Sequence, residues 1–184
     1  MELDALSHVV ARFTHAMQML VELIPYTDRT GLPRVVEIAC LEDWFTNHRL
    51  LIEFVLLKPP TNCAGARDLV PGWVPATDQE SRQLRSDYGW ASEDVSHIGV
   101  PKPQKMVGNT APAMLRVRAT FLLDVIEELV TSMERTQHQL APMTRLGLTT
   151  ARSRLLSNPA NAAGGCSVSL DPEVQRWQRG ARFM

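Results

Sequence analysis

Large apolar side chains return every three or four residues over most of the chain, and that spacing predicts helices. Leu3, Leu6, Val10, Phe13, Met17, Leu20 and Ile24 form one stripe across residues 2–24. Pro25 ends it, because its ring removes a backbone donor and clashes with the preceding turn. Asp28, Gly31 and Pro33 then mark a turn. Pro33 suits the first turn of a second helix over 33–57, where its missing N–H would be unpaired in any case. There Val36, Ala39, Cys40, Trp44, His48, Leu51, Phe54 and Val55 share a face, and Val35, Ile38, Leu41, Phe45, Leu50 and Leu57 widen it. A helix apolar around so much of its girth is expected at the centre of a bundle.

Periodicity then lapses. Residues 59–77 carry prolines and glycines but also Leu69, Val70, Trp73 and Val74, which predicts an ordered loop pinned to the body by those side chains. Thr77 and Glu80 have capping-box spacing and open a third helix over 78–98. That helix is polar, and Leu84, Tyr88, Trp90, Ala91, Val95 and Ile98 are its only inward candidates. A second loop leads to the strongest stripe, Met114, Leu115, Val117, Ala119, Leu122, Val125, Ile126, Leu129, Val130 and Met133, within a fourth helix over 112–140. A short fifth helix follows over 141–157. Beyond Ser157 the run "NPANAAGGCSVSLDP" holds too little apolar matter to offset ordering, so 158–184 reads as a mobile tail. The expected fold is all-α: an up-down bundle of four or five helices over 1–157, with a long ordered loop and a flexible C-terminal tail.

Composition narrows the setting. The 184 residues, 45% hydrophobic, suffice for one domain with a real core. A net charge of −1 gives no overall attraction to nucleic acid or membrane, so either partner would need a local patch. Cys40, Cys63 and Cys166 are odd in number and far apart, which fits a reducing compartment. The acidic start "MELDALSHVV" lacks a signal peptide's pattern, and no apolar run is long enough to span a bilayer. A cytoplasmic location without membrane contact is expected.

Candidate chemistry gathers around two histidines. His48 lies in the second helix and His97 at the end of the third, with Asp94 one turn before it. Together with Arg49 they could form a polar site in which one imidazole moves a proton, a carboxylate orients it and the guanidinium holds an anion. The alternative is structural, with His48 turned inward, Arg49 at the flank pairing with Glu53 or Asp68, and the cluster pinning the loop and third helix. On that reading no residue is catalytic, and His48→Leu lowers thermal stability alone. Asp94 and His97 have a di-iron spacing, but no second copy exists, so no metal and no cofactor is expected. At the C-terminus Arg176, Arg179 and Arg182 interleave with Trp177 and Phe183, a pattern that can stack on RNA bases or dock on a protein.

"NHRLLIEFV", then "ARDLVPGWVP", then "EDVSHIGVPK" resembles a bacterial group of HEPN-like helical proteins across residues 41–101, about a third of the chain. The resemblance places His48, Arg49, Glu53 and Phe54 on one helix, Asp68 and Trp73 in the loop, and His97 on the next helix. It implies a helical bundle. The wider class includes metal-independent ribonucleases whose site is an arginine, four to six residues, then a histidine, and no arginine-to-histidine pair in this chain has that spacing. Two functions are therefore expected to compete. One is a non-enzymatic interaction module, a homodimer or a binder of another protein, joined through the third helix or the fourth-helix stripe. The other is an RNA-directed protein, a binder or diverged ribonuclease of a defence or toxin–antitoxin system, using His97, His48 and Arg49. A third expectation is a small-ligand pocket beneath the Trp73 loop.

Overall fold

The computed structural model describes residues 3–27, 32–57, 63–96 and 112–157. They form α1 (Leu3–Glu22), a 3-10 turn (Ile24–Tyr26), α2 (Arg34–Leu56), α3, a single turn (Ala66–Leu69), α4 (Asp78–Ser96), α5 (Pro112–Arg135) and α6 (Ala141–Ser157). There is no strand among the described residues. The tail that carries Arg176, Trp177, Arg179, Arg182 and Phe183 lies outside them, as does His97.

Side-chain contacts fix the directions. Phe13 meets Phe54 at 4.3 Å between ring centroids, near the far end of α2, and the 3-10 turn that follows α1 also packs on α2, so α1 and α2 run antiparallel. Trp90 lies against Phe45 while the Tyr88 hydroxyl reaches Glu53, so α4 runs back along α2. Arg118 pairs with Asp87, and the Ala76 N–H donates to Glu128 at 3.3 Å, so α5 opposes α4. Arg152 reaches Asp124 at 2.8 Å, so α6 opposes α5 and returns alongside α1, where Arg154 pairs with Glu22. The five long helices thus alternate up and down.

Two of the expected stripes line the core. Val10, Met17, Leu20 and Ile24 are fully buried in the first. In α5 every stripe residue except Val117 is buried, so that stripe is the core and is not free to supply an interface. α5 stops at Arg135, not at 140, because the chain turns there through a Schellman motif. The His138 N–H donates to the Met133 carbonyl at 2.8 Å and the Gln137 N–H to Glu134 at 3.0 Å. Gln137 takes φ 54° at the position that usually holds glycine, so the sequence carries no stop signal.

The Trp73 loop is pinned as expected by Leu69, Val70 and Trp73, whereas Val74 is exposed. The Trp73 Nε1–H donates to the Val55 carbonyl at 2.9 Å, satisfying one of the carbonyls that the end of α2 leaves open. Thr77 and Glu80 close the expected capping box, with bonds of 2.8 and 3.1 Å to each other's backbone N–H.

α2 is central over only part of its length. No residue before Trp44 is buried. The register of Phe13 against Phe54 sets the end of α1 level with about Phe45, and the first turns of α2 run past it. Val35 is 71% exposed, Ile38 42% and Val36 38%.

α1 and α6 are in close contact at Gly147. A Cβ there would lie 2.3 Å from Thr14 Cγ2 and 3.1 Å from Thr14 Cβ, so rotating the threonine offers no escape. Gly147→Ala should gain about 1 kcal/mol of helix propensity and lose about 1–3 kcal/mol to overpacking. A net loss is expected in a denaturant melt, and Thr14→Ala in the same chain should relieve most of it.

Candidate functional site

Polar and aromatic groups converge where α2, α4 and α5 meet. α2 contributes Trp44, His48, Arg49 and Glu53. α4 places Gln83, Asp87 and Trp90 on one face, since steps of four and three residues return to nearly the same direction. α5 supplies Arg118.

The inner part is closed to water. His48 is fully buried and its ring stacks on Trp44, with centroids 4.7 Å apart and planes 17° from parallel. The Trp90 ring stands steeply tilted to both, with centroids 6.1 Å from Trp44 and 6.3 Å from His48. Neither His48 nitrogen meets a hydrogen-bond partner among the described residues, and neither does Trp44 Nε1. Burial first, and the Arg118 guanidinium second, push the His48 pKa from 6.5 down to about 3. His48 is therefore a neutral imidazole at physiological pH. Its inward direction matches the sequence reading, but it satisfies no buried polar group.

Asp87 and Arg118 form the charged half. Asp87 is 2% exposed and accepts from Arg118 and, at 2.7 Å, from the Gln83 amide. Burial drives its carboxyl above the ordinary range, while Arg118 and the two hydrogen bonds pull it down. Arg118 also lies over the Trp90 ring, 4.0 Å from its centroid. The sequence reading missed both residues. The spacing of Gln83, Asp87 and Trp90 was a usable signal for the first; nothing local distinguishes Arg118 from Arg116.

On the flank, Arg49 meets Glu53 at 3.4 Å and lies 5.4 Å from the Tyr88 ring, whose hydroxyl donates to Glu53 at 3.0 Å. Of the two partners expected for Arg49, Glu53 is the one present. Asp68 instead accepts from the Gly65 N–H at 2.8 Å and caps α3. Asp94 stands in the last turns of α4, with its side chain outside the described set. The structure thus groups His48, Arg49 and Glu53 with Trp90, Tyr88, Asp87 and Arg118, and leaves Asp68 apart.

Among the described residues no three of His, Cys, Asp and Glu are placed to hold a metal ion. Glu134 is held by Arg145 at 2.8 Å, and the His138 Nδ1 accepts from the Leu140 N–H. An open groove does run between the Trp73 segment and α5, lined by Val70, Trp73, Val74, Glu128 and Arg135. Burial, then the charge of Glu80, raises the Glu128 pKa there, against the Ala76 N–H that lowers it. No helix among the described residues is long and apolar enough to cross a membrane.

The inner cluster can lock three helices into one register. It offers a substrate no exposed acid or base, because the imidazole is sealed and the carboxylate is committed to Arg118. Compared with protein-family models, with characterised proteins and with solved structures, the chain matches none.

Proposed function

We propose that this chain is a non-enzymatic interaction module that engages another protein chain through the overhanging first half of α2. The observation that carries the reading is the exposure of Val35 and Ile38 on one side of the first turns of α2, where no residue is buried. Apolar side chains grouped at one exposed place mark contact surfaces more often than they occur by chance. The inner part of the polar cluster supports the reading, since its geometry explains helix register and both its imidazole and its carboxylate are closed to a bound molecule.

An RNA-directed, HEPN-type role is the second reading. The order of motifs over residues 41–101 favours it, together with the packing of α2 on α4 that brings two of those segments side by side. The burial of His48 weighs against it, because an imidazole that reaches neither solvent nor a hydrogen-bond partner takes no proton from a ribose hydroxyl.

A photo-crosslinking residue placed at position 35, beside a control at the exposed Arg85 of α4, tests the module reading in cells producing the chain. Discrete adducts from position 35 alone are expected. No adduct there, or the same adducts from both positions, contradicts the proposal.

A further inference from the structure

We infer that the partner of this surface is a second copy of the chain, with the first turns of α2 from each copy laid antiparallel about a two-fold axis near Ile38. The inference rests on the interaction-module reading and names its partner. Three features of the helix point to it, and the first is apolar: Val35 and Ile38 are exposed on one side, with Leu41 half-buried one turn on, whereas Val36 faces the other way.

The second is an arginine in a place helix physics disfavours. Arg34 opens α2 with its side chain 79% exposed. The positive end of a helix dipole repels a cation there, and the N-cap, Pro33, makes no side-chain bond. Glu37 meets Arg34 at 2.8 Å through one nitrogen, leaving the rest of its fork unused.

The third is the order of charges. Glu42 and Asp43 follow Arg34 after about two turns. In an antiparallel pair centred on Ile38, residues equally distant from 38 face each other. Arg34 then meets the second copy's Glu42, Val35 meets the second copy's Leu41, and Ile38 meets its own equivalent. A parallel pair would set Arg34 against Arg34 and Glu42 against Glu42. The charge pattern therefore selects the antiparallel, two-fold arrangement, in which each contact occurs twice. So small a surface gives a weak, reversible dimer.

Sedimentation velocity over a wide concentration range, on wild type, Arg34→Glu, Glu42→Arg and the double variant, tests the arrangement. Wild type should pass from monomer to dimer as concentration rises. Each single reversal should weaken association by about tenfold, since two exposed pairs become repulsive. The double variant should restore it, and circular dichroism should show all four folded. Oxidised Ile38→Cys should also give a covalent dimer that equally oxidised wild type does not. A monomer at every concentration, single reversals without effect, or a double variant no better than the singles would overturn the proposal. If wild type stays monomeric while position 35 crosslinks a different protein, the module reading stands and the second-copy inference alone falls. A crosslink from position 35 back into its own chain would sink both.

Discussion

Replacing Arg118 by methionine should destabilise the fold by about 3 kcal/mol, because removing one partner of a buried ion pair strands the other charge. Asp87 is 2% exposed and would keep only its bond from Gln83. The variant also loses the cation over the Trp90 ring, worth about 0.5–2 kcal/mol. For a chain of this length the melting temperature should fall by about 6–12 °C. Two further results separate this cause from simple loss of packing. Arg118→Met with Asp87→Leu should recover most of the loss, since an apolar pair of similar volume replaces a buried ion pair at little cost. The single variant should also regain stability as pH falls, because Asp87, its carboxyl raised further without Arg118, then protonates. A double variant that stays as unstable as the single would contradict the pairing.

Acid should weaken the fold through His48, and the sign follows from its direction of shift. The folded chain holds the imidazole neutral down to about pH 3, whereas the unfolded chain protonates it near 6.5. The unfolded state therefore binds the extra proton between those values, so the contribution is fully present above pH 6.5 and is lost as pH falls toward 3. The slope builds toward about 1.4 kcal/mol per pH unit below 6.5, so the loss between pH 6.5 and 4.5 is about 2 kcal/mol. Asp87 works in the opposite sense, because its raised carboxyl favours the folded state in acid. Comparing wild type with His48→Leu isolates the histidine. At neutral pH the two should be close: the variant gives up the stack on Trp44 but also removes two buried nitrogens that have no partner. In place of the plain loss of stability expected from the sequence alone, the structure predicts a difference that changes with pH. At pH 4.5 His48→Leu should be the more stable, with a melting temperature higher by about 4–8 °C. Parallel pH profiles for the two chains would contradict the burial of a neutral imidazole.

What could be read beforehand followed from local physics. The stripes of α1 and α5, the Thr77–Glu80 cap and the anchoring of Leu69, Val70 and Trp73 depend on spacing or on one large side chain seeking cover. The inward turn of His48 and the flank position of Arg49 follow from the angle of about 100° between neighbours on a helix. The rest depends on tertiary register. Periodicity shows that Val35 and Ile38 are apolar, but only the offset of Phe13 against Phe54 shows that α1 ends before reaching them. Asp87 looked like surface charge on a polar helix. Its burial depends on Arg118 arriving from a helix some thirty residues away. The end of α5 was illegible because Gln137 occupies a left-handed position without the glycine that announces one.

α2 divides into an exposed beginning, proposed to contact a second copy, and a sealed middle that holds the fold. Sedimentation velocity and thermal melts on wild type, Val35→Asp and His48→Leu at neutral pH test that separation in one experiment. The account predicts that Val35→Asp keeps the melting temperature and loses self-association, while His48→Leu keeps both. Loss of association in His48→Leu with its melt unchanged, or unaltered association in Val35→Asp, would contradict it.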